Sequence, residues 1–115
     1  MPIHQRDFVT GDTSSTFGWL VKDIQTGAII SLVGISNAVV YYRAQNAPAA
    51  LVGEVTPTTG GALGTITIKP GDESELEPAL GQSQKYEAWA EFDLLGVHYI
   101  VPKEGPDSFT VKRLR

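Results

Sequence analysis

The sequence predicts an all-β protein, an antiparallel β-sandwich of seven to eight strands folded as a single domain over residues 1–115. Three observations carry this expectation. Apolar residues alternate with polar ones at period two in Thr65-Ile66-Thr67-Ile68-Lys69 and in Gln84 to Leu95. Glycine and proline turn signals recur about every eight to twelve residues. Helical periodicity is scarce, so a parallel α/β arrangement, which needs long helices between strands, does not fit.

The elements follow in order along the chain. A short edge segment spans Ile3 to Val9, and Thr16 to Lys22 then sets Phe17, Trp19 and Val21 on one face. Gln25-Thr26-Gly27 turns the chain into a strand-like run from Ala28 to Leu32, with Gly27 where a positive φ is cheap. Ala38 to Arg43 is the next strand. Its Val39-Val40-Tyr41-Tyr42 core is apolar on both faces, which predicts a central strand with something covering its outer side. A turn-rich interval at Ala44 to Pro48 leads to a short strand at Leu51 to Thr56, which Pro57 to Gly61 breaks.

Thr65 to Lys69 stops at Pro70-Gly71-Asp72. The acidic segment Asp72 to Gln82 reads as a crossover loop with room for one helical turn before Pro78 and Gly81. From Gln84 to Leu95, Tyr86, Ala88, Ala90, Phe92 and Leu94 share one face, and Glu87, Trp89, Glu91 and Asp93 share the other. Gly96 turns this strand into Val97 to Val101. Pro102 to Asp107 is a loop, and Ser108 to Lys112 closes the domain with Phe109 and Val111 inward.

Composition narrows the function classes. At 115 residues, 42% of them hydrophobic and 19% charged, the chain can bury a core and is not dominated by disorder. A net charge of −4, with Lys and Arg totalling 9 and scattered up to the tail Lys112-Arg113-Leu114-Arg115, supplies no basic face for nucleic acid. Cysteine is absent, so disulfides, thiolate metal sites and thiol nucleophiles are excluded. No apolar run approaches the roughly 18 residues of a membrane span, and the Met-Pro-Ile-His-Gln-Arg start carries no signal-peptide core, so synthesis in a cytoplasm is expected.

Catalytic and metal chemistry find little to work with. The histidines are His4 and His98, and His98, between Val97 and Tyr99, reads as a polar position on a strand face. Asp72, Glu73, Glu75 and Glu77 offer oxygen ligands but lack the fixed calcium-loop spacing, so they read as a solvated loop. Neither a nucleophile elbow nor a phosphate-binding glycine loop occurs, and Glu87, Glu91 and Asp93 alternate as a solvated sheet face does. The sequence therefore predicts no enzyme and no cofactor.

What stands out is outward aromatic character. Trp89 points away from the core between Glu87 and Glu91, covered by a loop of its own chain or serving as an anchor for a partner subunit or a sugar. With Tyr41 and Tyr42, these residues form the candidate interface: Trp89, Glu87, Glu91, Tyr41 and Tyr42.

The order Arg6-Asp7, Gly11-Asp12-Thr13, Phe17 to Asp23, Thr26-Gly27, Leu32-Val33-Gly34, Val39 to Arg43, Gly64 to Ile68, Tyr86 to Phe92 and Pro102 resembles the immunoglobulin-like N-terminal domain of bacteriophage baseplate upper proteins and related small tail proteins. The resemblance spans nearly the whole chain through short strand-and-turn strings. It implies an immunoglobulin-like sandwich and a non-enzymatic virion part, in tail, neck or baseplate, partnered with other phage virion proteins as repeated copies in a symmetric assembly. A sandwich of this size also suits a capsid decoration protein, and a carbohydrate-binding module using Trp89 is the reading from another class. The turn before Gly96 is poorer in glycine and aspartate than the family pattern, which leaves the register of that hairpin open.

Overall fold

The computed structural model describes residues 7–45 and 52–114. Nine strands occur among them: β1 (Asp7–Val9), β2 (Phe17–Leu20), β3 (Ser36–Ala44), β4 (Gly53–Val55), β5 (Thr58–Thr59), β6 (Thr65–Ile68), β7 (Ser83–Leu94), β8 (Val97–Val101) and β9 (Asp107–Lys112). The larger sheet runs β1-β9-β7-β3-β4, with β8 also on β7; the smaller sheet runs β2-β6-β5. The two sheets pack as an all-β sandwich. Ile3 to Arg6, His4 included, and the 46–51 part of the interval read as a turn and strand start lie outside the described residues.

β7 organises the larger sheet because it is long and strictly alternating. Tyr86, Ala88, Ala90, Phe92 and Leu94 are buried, and each residue between them is only partly so. Its inner face meets Phe17, Trp19, Ile66 and Ile68 of the smaller sheet within one core cluster that also holds Phe8, Phe109 and Val111. Trp19 and Phe17 are wholly buried, with ring centroids 5.3 Å apart in an edge-to-face arrangement. Burial of such side chains contributes about 1.5–3 kcal/mol each, and the indole also has a polar partner: Trp19 Nε1 donates to Asp107 Oδ2 at 2.8 Å. That bond ties the smaller sheet to the start of β9.

Close backbone approach fixes the pairing of the smaller sheet. Gly18 lies opposite Thr67, and a Cβ at position 18 would overlap the Ile66 carbonyl oxygen and sit 2.8 Å from Thr67 Cα. Only glycine allows β2 and β6 to meet at this point.

Three features differ from the sequence expectation. β1 pairs with β9 in parallel, Asp7 opposite Thr110, so not every ladder is antiparallel. The run from Ala28 to Leu32 does not form a strand, only a single bridge from Lys22 to Ile29. The expected turn is nevertheless built, with Gly27 at φ 72° and the Asp23 carboxylate accepting from Gln25 and Thr26 N–H. After it, Leu32 N–H donates to the Gly61 carbonyl, which carries the chain along the 61–64 turn instead of into a ladder. The acidic crossover holds two 3₁₀ turns, Pro70–Asp72 and Ser74–Leu76, and it places Leu76 in the core. The hairpin from β7 to β8 forms as expected, and its register, left open by the sequence, is set by a two-residue Leu95-Gly96 turn with φ of 51° and 80° that puts Leu94 opposite Val97. Leu95 holds a positive φ that glycine, asparagine or aspartate more commonly takes.

Candidate functional site: the outer face of the larger sheet

The parity that buries Tyr86 to Leu94 turns Glu87, Trp89, Glu91 and Asp93 outward. β3 sets Arg43 opposite Glu87, Tyr41 opposite Trp89 and Val39 opposite Glu91. β8 sets Ile100 opposite Glu91 and His98 opposite Asp93, and β4 sets Glu54 opposite Tyr41. Cross-strand neighbours on one face are close enough to interact, so the register builds this patch directly.

Trp89 stands at its centre. Its ring stacks on Tyr41 with centroids 5.7 Å apart and planes 22° from parallel, and the Arg43 guanidinium lies over it at 5.7 Å. Arg43 Nη2 donates to Glu87 Oε2 at 2.7 Å. On the other side, Trp89 Nε1 donates to Glu91 Oε2 at 3.0 Å. Glu91 Oε1 lies 2.9 Å from His98 Nε2, Asp93 Oδ1 lies 2.7 Å from His98 Nδ1, and Asn37 Nδ2 donates to Asp93 Oδ2 at 2.9 Å. A continuous chain of contacts thus runs Glu87-Arg43-Trp89-Glu91-His98-Asp93-Asn37 across β3, β7 and β8.

Electrostatics follow from these contacts. Hydrogen bonds to Asp93 and then Glu91 raise the His98 pKa above 6.5. The reciprocal bonds lower both carboxylates: Glu91 through His98 and Trp89, Asp93 through Asn37 and His98. The face is therefore held by charge-assisted bonds that fix the orientation of Trp89. A rigid aromatic and arginine surface with a charged surround is suited to protein contact.

Of the five candidate interface residues, the structure brings Trp89, Tyr41, Glu87 and Glu91 onto one face. It does not place Tyr42 with them. Tyr42 lies on the inward side of β3, edge-on to Tyr86 at 5.8 Å, because neighbouring residues of a strand face opposite ways. Among the described residues, Tyr41 and Arg43 of the adjacent strand lie against the Trp89 ring. Arg43, Asn37, Asp93 and His98 join the patch without having been singled out for it. The alternation of β7 and the Gly96 turn signal could have placed Asp93 and His98 side by side, but Arg43 and Asn37 required the β3 register.

Elsewhere, the acidic 72–77 segment concentrates like charge. Burial, then the neighbouring Glu75 and Asp72, raise the Glu73 pKa. Among the described residues no group of three or more His, Cys, Asp or Glu side chains is placed to hold a metal ion. Arg113 of the basic tail pairs with Glu77 at 3.0 Å. Compared with protein-family models, curated proteins and solved structures, the chain gives no match.

Proposed function

We propose that this chain is a non-enzymatic structural or adaptor part of a bacteriophage virion, in a tail, neck or baseplate assembly, that binds other virion proteins through the outer face of its larger sheet. The observation that carries the protein-contact part is the oriented Trp89, stacked on Tyr41 and flanked by Arg43, Glu87 and Glu91. Aromatic residues and arginine dominate the energetics of protein interfaces, and a ring already held in place loses little entropy on binding. The virion assignment rests on the strand-and-turn strings quoted above. A sugar platform fits less well, because stacking on a sugar uses an open ring face and Trp89 has both Tyr41 and Arg43 against its ring.

The test is mass spectrometry of gradient-purified particles of the phage that encodes the chain, followed by gold labelling with antibodies to it. Peptides of the chain at a fixed ratio to the other structural proteins, with label on the tail or neck, are expected. Label over the capsid would move the chain to the decoration role. Absence from particles, together with glycan-array binding that is lost in Trp89→Ala, would overturn the virion reading.

A further inference from the structure

We infer that the open side of the sandwich, between β2 and β8, binds an extended segment of a partner protein that joins β8 as an added strand. This stands apart from the virion proposal and from the Trp89 face.

The backbone geometry comes first. In a hairpin with a two-residue turn, the residues flanking the turn exchange both ladder bonds, and bonded and non-bonded pairs then alternate. With Leu94 opposite Val97, the bonded pairs are Leu94/Val97, Phe92/Tyr99 and Ala90/Val101. His98 and Ile100 consequently turn their N–H and C=O groups away from β7. Among the described residues β8 pairs only with β7, while β1 covers the outer edge of β9 at Thr110 to Lys112 and stops short of β8. β8 reads Val-His-Tyr-Ile-Val, without the proline, lysine or bulge that commonly guards an edge strand.

The opposite wall is also an edge among the described residues, because β2 pairs only with β6. Val21 N–H donates to Gly64 and its carbonyl accepts from Ile30, so odd residues of this strand face β6 and its extension. Leu20 and Lys22 accordingly present their backbone groups to the open side.

Between the two edges lies a cleft of about 560 Å³. Phe92, Tyr99 and Val21 form its apolar floor, with Ile24 and Ile100, 78% and 47% exposed, at its mouth. Lys22 and Lys103 balance Asp23 and Glu104 on the rim. A row of backbone donors and acceptors is complemented by another extended backbone, the apolar floor by an apolar side chain at every second position, and the balanced rim by a segment of low net charge. The site is a recess in the size range of bound small ligands and short segments, whereas a stable dimer buries a patch of roughly 800 Å² per subunit.

The test uses the full chain labelled with ¹⁵N and a capped probe peptide, acetyl-Thr-Val-Thr-Val-Thr-Val-Lys-amide, with two analogues N-methylated at the three threonines or at the three valines. The expected result is slowing of His98 and Ile100 amide exchange by at least about tenfold on adding the probe. One N-methylated analogue is expected to lose that effect and the other to keep it, because alternate residues of an added strand face β8. Ile100→Pro, which removes an outward N–H that an edge strand can spare, is expected to abolish protection of His98, and Ile100→Ser to retain it. Unchanged exchange, equal action of the two analogues, or probe-induced shifts confined to the Trp89 indole would each overturn the inference. Protection that rises with protein concentration without peptide would overturn it in favour of pairing with a second copy.

Discussion

His98 Nδ1 lies 2.7 Å from Oδ1 of Asp93, its cross-strand partner, and with Nε2 at 2.9 Å from Glu91 the imidazole bridges two carboxylates of one strand. Both ring nitrogens can donate to carboxylates only when the ring is protonated.

A pH dependence follows. The His98 pKa is raised in the folded chain, so its contribution is complete below the unfolded value near 6.5 and is lost as pH climbs through the folded value. The Glu91 and Asp93 pKa values are lowered, so their contribution is present above the unfolded values of 4.5 and 3.8 and is lost as pH falls. Between about pH 4.5 and 6.5 all three act together. NMR titration is expected to give His98 an apparent pKa above 6.5, with His98→Gln identifying its signal beside that of His4. Exposure makes the effect small and salt-sensitive. A thermal-stability advantage of wild type over His98→Gln that grew from pH 7 to 9 would contradict this.

Trp19→Ala is expected to destabilise the fold by about 3–5 kcal/mol, through lost burial, a cavity and the loss of the bond to Asp107. Denaturant unfolding measures it. A loss under about 1 kcal/mol would mean that the ring is not at the centre of the core.

At Gly18 one methyl group is expected to matter. Gly18→Ala drives a Cβ into the Ile66 carbonyl and Thr67 Cα, both backbone atoms that cannot turn aside. A cost of about 2 kcal/mol or more is expected by calorimetry, against a slight gain for alanine over glycine at an uncrowded strand position. Equal melting temperatures would show that β2 and β6 lie farther apart.

Trp89→Ala removes the stack on Tyr41 and the ring under Arg43. The expected cost to the isolated domain is about 1 kcal/mol, well below that of Trp19, because the ring lies on the outer face. Under the proposed virion role, competition between wild-type and variant chains for incorporation into particles is expected to favour wild type at least tenfold. Equal incorporation would remove Trp89 from the proposed interface.

Most of the β-structure was legible because alternation reports burial directly. Tyr86 to Leu94 faced inward and Glu87 to Asp93 outward as their spacing required, and Phe17, Trp19 and Val21 shared the buried side. The misreadings have local causes. Ala28 to Leu32 is rich in β-branched and apolar residues, but the 61–64 turn takes the hydrogen bond from Leu32 and no strand forms. Leu76 was hidden in an acidic stretch whose short 3₁₀ turns have no period to read. Tyr42 was grouped with Tyr41 although consecutive strand residues face opposite ways.

By itself, the sequence determined the all-β character, the side of β7 that meets water and the positions of the glycine turns. These depend on period-two alternation and on local φ preferences, which neighbouring residues carry between them. Tertiary structure alone decided that Arg43, Trp89, His98 and Asn37 join one surface, that β1 runs parallel to β9, and that, among the described residues, β2 pairs only with β6 and β8 only with β7 on either side of a cleft. Those features depend on register between segments far apart in the chain, and register is set by the fit of whole strands in the core, which no short stretch of sequence encodes.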